Sequence, residues 1–211
     1  SILVPVYNAG PEWIERLLSS VADQIYDRWE LVLVDDASRN SNVWPTLKRW
    51  AKRDSRIVIE RSPSNGGVSA ATNRAAQLAS GEFLAFADHD DELTPDALWR
   101  FVEAIQGPRD VDLVYSDEEI VPPDAPPYPM FKPAWSPDLL VSFNYICHLA
   151  MVRRTAFDAV GGFRPGFDGA QDHDLLLRLS TVVRRVVHVP RILYRWHVGG
   201  QSMSRRVECK T

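Results

Sequence analysis

Apolar residues recur along this chain in two alternating rhythms. Ile2-Leu3-Val4-Pro5-Val6, Leu31-Val32-Leu33-Val34, Arg56-Ile57-Val58-Ile59, Glu82-Phe83-Leu84-Ala85-Phe86-Ala87 and Val111-Asp112-Leu113-Val114-Tyr115 are short runs of the kind that form buried strands. Between them, Ile14/Leu17/Leu18/Val21, Val43/Leu47/Trp50 and Leu98/Phe101/Val102/Ile105 keep the spacing of one helix face, and an Ala-rich helix is expected from about Ser69 to Ala79. Pro11 opens the first of these helices, because its missing N–H is not needed at the first helical position. Strand and helix in strict alternation predict an α/β fold with a mostly parallel sheet and helices on both faces.

The rhythm changes after Ser116. Seven of the fifteen prolines fall in residues 122–137, so an ordered connector or a mobile flap is expected there. Beyond it the pattern predicts a strand at Leu149–Val152 and a short helix from Thr155 to Val160, stopped by Gly161-Gly162. A Leu-rich helix follows from Gln171, then strands at Val186–Val189 and Ile192–Tyr194. Residues 1–116 read as a nucleotide-type half and 117–211 as an acceptor-type half of a single unit.

Composition narrows the function classes. The 211 residues are 45% hydrophobic and 25% charged, as in ordinary soluble domains. A net charge of −4 offers no electrostatic case for a nucleic-acid partner, and no apolar run is long enough for a membrane span. Cys147 and Cys209 are too few for a disulfide framework and read as thiols of a reducing compartment. The chain starts without Met and enters a strand at Ile2, so it reads as a piece of something longer whose targeting cannot be judged.

In open parallel sheets, ligands bind beyond the carboxyl ends of the strands. Tyr7-Asn8, Asp35-Asp36, Asn65-Gly66-Gly67 and Asp88-His89-Asp90-Asp91 all fall at such ends or at the start of the following helix. Side chains alternate along an extended strand, so Asp88 and Asp90 point the same way, as hard oxygen ligands for Mg²⁺ or Mn²⁺ beside a phosphorylated ligand. The plain alternative is a solvated acidic loop, with Asp91 starting the cap of the helix near Thr94-Pro95. Asp36 accepts hydrogen bonds from a base or ribose, or else Asp36 or Ser38 caps the next helix. Gly66-Gly67 either admits a ligand close to the backbone or forms a turn. Asp172, at a helix start, is a candidate general base or a cap. Asp-His-Asp occurs twice, and the first copy follows a strand, so the metal is assigned there and the base to the second. His197 is a candidate metal ligand against a structural alternative. Gly199-Gly200-Gln201-Ser202 would let a loop fold over a ligand, with Arg205 and Arg206 beyond it.

Together these segments resemble the inverting family 2 glycosyltransferases with the GT-A fold. The motifs are Val4-Pro5-Val6-Tyr7-Asn8, Val34-Asp35-Asp36-Ala37-Ser38, Asn65–Asn73, Asp88-His89-Asp90-Asp91, Gln171-Asp172-His173-Asp174, and His197 with Ser202, in the family's order. Phe131–Pro137 and Asn144–His148 look like members that build bacterial cell-surface polysaccharides, including rhamnosyltransferases. The resemblance implies a nucleotide-sugar site of Pro5, Tyr7, Asn8, Asp36, Asn65, Gly66, Asp88 and His89, a metal held by Asp90, Asp88 and His197, and Asp172 as catalytic base. It implies a UDP- or dTDP-sugar donor, a glycan or lipid-linked glycan acceptor, Mn²⁺ or Mg²⁺, and a cytoplasmic place, at the inner membrane face if other parts of the protein attach it. Thr72 departs from the family, where Arg often precedes Asn73. A sugar-nucleotide pyrophosphorylase would need a Gly-rich basic segment after the first strand, which Tyr7–Pro11 is not. A module that binds sugar nucleotide or glycan without turnover is the remaining alternative.

Overall fold

The computed structural model describes residues 1–107 and 110–198, so Gly199–Ser202, Arg205, Arg206 and Cys209 lie outside the described residues. Three strand–helix units open the chain: β1 (Ile2–Val6) with α1 (Pro11–Ala22), β2 (Leu31–Asp35) with α2 (Val43–Arg53), and β3 (Ile57–Arg61) with α3 (Val68–Leu78). β4 (Phe83–Phe86), a two-residue β5 (Glu92–Leu93) and α4 (Ala97–Gln106) follow. The second half holds β6 (Leu113–Val121), β7 (Tyr128–Met130), α5 (Pro137–Ser142), β8 (Ala150–Arg153), α6 (Arg154–Ala159), α7 (Gln171–Leu179) and β9 (Val186–His197).

β1 pairs in parallel with β2 and β4, and β2 with β3. Alternation along these strands divides the core in two. Ile2, Val4, Val6, Leu31 and Leu33 join Ile14, Leu17, Leu47 and Phe101 on one face of the sheet. Leu3, Val32 and Val34 join Ala71, Ala75, Phe157, Leu175 and Leu179 on the other. The nearly unbroken burial of β1 and β2 is what a parallel sheet covered on both faces demands.

Where the rhythm changed, the sheet changes too. β8 inserts between β4 and β6 and runs antiparallel to both, so the fifth expected strand, β6, keeps the direction of β1–β4 but is not β4's neighbour. The two short strands expected at the end are one strand, β9, parallel to β6. The register slips so that Ser116 faces Val189 and Asp117 faces Ile192, and Pro190, which has no N–H to give a ladder, sits in that irregularity. The proline-rich connector contributes β7, which pairs with Glu118–Ile120 of β6, past the stretch of β6 that pairs with β8. It then leads into α5, which the pattern did not predict; Pro137 stands at its first turn and the Ser136 hydroxyl accepts from the Leu139 N–H at 3.3 Å. No helix among the described residues is long and apolar enough to cross a membrane.

Candidate active site

β1, β2 and β4 end at one edge of the sheet, and their following loops are bound to one another by side chain to backbone contacts. Asn8, in the left-handed region at φ 52°, turns the chain out of β1. Its side-chain oxygen accepts from the Arg39 and Asn40 amides at 2.7 and 3.1 Å, while its own N–H donates to the Ser38 hydroxyl at 2.9 Å. Asp36 is buried, and its carboxylate accepts from the Gly66 and Gly67 amides at 2.9–3.2 Å. Asn65 donates to the Asp36 carbonyl. Neither Asp36 nor Ser38 caps α2, whose N-cap is Asn42. Asn8 and Asp36 therefore spend their side-chain oxygens on the framework of the edge, and Tyr7 stands exposed beside them.

After β4, Asp88, Asp90 and Asp91 each offer an oxygen within 4.8 Å of the others. They are not equivalent. Asp91 is fully buried and accepts from the Tyr194 hydroxyl at 2.7 Å and the His197 N–H at 2.8 Å; it fastens β9 to the site, and α4 begins only after Asp96, so Asp91 caps nothing. Burial, with Asp88 and Asp90 nearby, holds the Asp91 carboxyl well above the usual range. Burial also raises Asp90, an effect that His89 offsets in part and Asp88 reinforces. Asp88 is shifted the other way: burial opposes its charge, but the neighbouring His148 overcomes this and holds its pKa below the usual value. Clustered carboxylates that share charge in this way suit a hard divalent cation, which binds one or two carboxylates and keeps oxygens from water or phosphate. Among the described residues, Asp88 and Asp90 carry the oxygens left for it.

His197 is not in this group. Its Nε2 lies 2.6 Å from the Glu92 carboxylate and its Nδ1 3.2 Å from the Arg16 guanidinium, with Trp13 edge-on to the ring. Both ring nitrogens are thus engaged, and ligation by His197 requires one of these contacts to break. His89 places Nδ1 3.2 Å from the Pro5 carbonyl, tying the acidic loop to β1.

The two Asp-His-Asp segments have distinct surroundings. In the second, Asp174 is held by Arg178 at 2.7 Å and by Arg164, and His173 lies 2.6 Å from the Leu140 carbonyl. Asp172 alone of the three faces the pocket, in the first turn of α7, with Gln171 donating to its Oδ2 at 2.9 Å. Burial pushes the Asp172 carboxyl up to about 6, with His148 opposing and Asp88 adding to the rise. The pocket is lined by Pro5, Thr72, Asp88, His148, Gln171 and Asp172 over an apolar floor that includes Phe86 and Phe163. Thr72 donates to the Val68 carbonyl within its own helix, so it brings no charge to the site.

Two residues escaped the sequence reading. His148 sits between the carboxylates, Nε2 3.4 Å from Asp88, its ring beside Tyr194. Against the cost of burial, Asp88 and then Asp172 push its pKa up to about 10. Its Nδ1 has no hydrogen-bond partner among the described residues. The only sequence cue was its place at the end of Asn144–His148, just before a strand. Asp168 reaches across from the second half to accept from the Ser69 hydroxyl at 2.6 Å and the Ser69 N–H at 3.2 Å, closing the start of α3. A lone Asp among glycines gave no sign of that.

Residues 1–161 match the family model described as Glycosyl transferase family 2. The O-antigen biosynthesis protein RfbC of Myxococcus xanthus is 39% identical over 209 residues, which are 98% of this chain and 16% of that protein. The chain spans 16–23% of the length of four curated relatives that it matches along at least 97% of itself. Among solved structures, S. aureus TarS 1–349 in complex with UDP-GlcNAc superposes with a TM-score of 0.80 at 21% identity, covering 95% of this chain and 59% of that one. The mannosyltransferase PcManGT of Pyrobaculum calidifontis, in complex with GDP-Man and Mn²⁺, gives 0.72 at 21% identity, covering 95% and 57%. These likenesses establish the GT-A fold.

Proposed function

The chain belongs to glycosyl transferase family 2, and we propose that it is a metal-dependent, inverting domain that moves a sugar from a UDP- or dTDP-sugar to a glycan or lipid-linked glycan hydroxyl in surface-polysaccharide synthesis. What carries this reading is that Asp88 and Asp172, from opposite halves of the chain, line one pocket beside Asp90. The relatives support its setting: one is named for O-antigen biosynthesis and another for colanic acid biosynthesis. Complexes of the fold neighbours hold UDP-GlcNAc, or GDP-Man with Mn²⁺.

In this reading Pro5 and Tyr7 flank the base, and Asn8, Asp36, Asn65, Gly66 and His89 fix the edge on which base and ribose lie. Asp90, Asp88 and His197 would hold the cation. A divalent cation held there would neutralise the charge that develops on the departing nucleoside diphosphate. Asp172 takes the proton of the acceptor hydroxyl as its oxygen bonds to the anomeric carbon and the bond to the diphosphate breaks. One base and one displacement invert the anomeric centre. A pKa of about 6 leaves Asp172 mostly ionised at neutral pH and a stronger base than an ordinary Asp.

The test is incubation with a panel of nucleotide sugars, Mn²⁺ and candidate acceptors. Release of nucleoside diphosphate coupled to acceptor glycosylation is expected. Tight donor binding without any release would replace the enzyme with a binding module.

A further inference from the structure

Behind His148 lies a buried charge pair that the reaction does not use. Lys132 and Glu118 have side chains only 1% exposed, with Nζ 3.5 Å from Oε2. Lys132 belongs to the proline-rich connector, and its main-chain N–H donates to Asp117 at 2.9 Å. Its ammonium donates to the Ile146 carbonyl at 2.5 Å and to the His148 carbonyl. Glu118, on β6, accepts the His148 N–H at 3.3 Å. Three backbone groups around Cys147 are therefore held by two charges brought from elsewhere in the chain. Cys147 itself is left-handed at φ 43°, a conformation that a side chain larger than hydrogen keeps only where its surroundings over-determine it. The Asn144 side chain adds to the constraint by accepting from the Ile146 and Cys147 amides, each at 3.1 Å.

Attraction between the two charges does not by itself explain the pair. A buried ion pair loses so much hydration that an apolar pair of the same volume is commonly as stable. Burial pulls the Lys132 pKa down despite Glu118, and Glu118 Oε1 has no partner among the described residues. What the pair does uniquely is geometric: it sets the backbone from which the His148 ring meets Asp88.

We propose that Lys132 and Glu118 are positioning residues, which fix the main chain at Ile146–His148 so that His148 holds Asp88 in its place in the donor site. The proline-rich connector is thereby tied to the cation-binding carboxylates. This inference rests on the glycosyltransferase reading above.

The experiment compares the wild type with K132M/E118L and K132M/E118Q. Both replacements remove the charges together, but Gln keeps an acceptor for the His148 N–H and Leu does not. Both doubles are expected to melt below the wild type, K132M/E118L further because it also orphans the His148 N–H. K132M/E118L should lose about 10- to 100-fold in Mn²⁺ affinity, measured by calorimetry with the metal alone, and a similar factor in transfer. K132M/E118Q, which keeps only the acceptor for the His148 N–H, should recover part of both. Equal behaviour of the two doubles, whether both intact or both impaired, overturns the proposal. If K132M/E118L does not fold, Lys132→Met and Glu118→Gln singly replace it: greater loss of Mn²⁺ affinity is expected in K132M, and equal or reversed loss overturns the proposal. If the wild type turns over no donor, the enzyme reading falls, and the Mn²⁺ affinities alone decide the positioning role.

Discussion

Asp88 and Asp172 face the same pocket, yet their surroundings shift them in opposite directions. Asp88 stands at the end of a parallel strand, its side chain 43% exposed, and His148 keeps it ionised. Asp172 stands at the start of a helix in the mixed half of the sheet, and burial makes it hold its proton longer. Titratable groups pushed apart in this way are how one site assigns different jobs to similar side chains. The framework differs as well. At the proposed donor edge the buried Asp36 and Asp91 are held by backbone amides and the Tyr194 hydroxyl; in the second half Glu118, Lys132 and Asp174 are buried against opposite charges.

Removing the cation side tests the donor edge most severely. Asp90→Asn, or chelation of the metal, withdraws charge stabilisation worth several kcal/mol, or roughly 10³-fold in transfer. Donor binding should weaken with it, as titration calorimetry with UDP and Mn²⁺ would register. Asp90→Asn with full metal-dependent transfer would erase the distinction between the two carboxylates.

Asp172→Asn is the matching cut on the acceptor side. Transfer should fall by roughly 10²-fold or more while metal-dependent nucleotide binding persists. Stability should move the other way. The folded pKa, about 6, lies above the unfolded value, so ionising Asp172 works against the fold, and that penalty grows from about pH 4 and is complete above pH 6. The Asn variant should therefore melt higher than the wild type at pH 8 and equally at pH 4. A lower melting temperature at pH 8 would refute the burial argument.

The same shift predicts a pH profile. In kcat/KM, which reports the free enzyme, transfer should drop about tenfold per unit below pH 6 as Asp172 takes up a proton. An ordinary Asp would keep its rate down to about pH 4. A flat profile between pH 5 and 7 would show that this carboxylate is not the base.

The same contrast explains what was legible beforehand. β1–β4 and α1–α4 could be read because each buries one face or a continuous run, and burial of that kind leaves a period in the sequence. The strand-end motifs were legible for the same reason, since the period ends where the site begins. β8 between β4 and β6, and the unity of β9, depend on pairing between distant segments, which no local period records. Asp91 looked like a cap but fastens β9, because its partners Tyr194 and His197 are more than 100 residues away. Buried charge hid best. Lys132 reads as a surface residue among prolines, and only the backbone of Ile146–His148 reveals why it is inside.

The seam between the two regions yields the smallest effect and the most local test. Gly67 precedes α3 with φ 88° and ψ 167°, a region that only glycine enters freely. A Cβ there would run into Oδ2 of Asp168, the carboxylate that reaches over from the second half to Ser69. Gly67→Ala should thus cost about 1–3 kcal/mol from the backbone alone. In a chain of this size that lowers the melting temperature by roughly 2–12 °C. Adding Asp168→Ala removes the clash but leaves the backbone strain, so the double variant should be less destabilised than the sum of the singles. Strict additivity would mean that the carboxylate moves aside freely, and that the donor and acceptor halves meet at Ser69 without constraining each other.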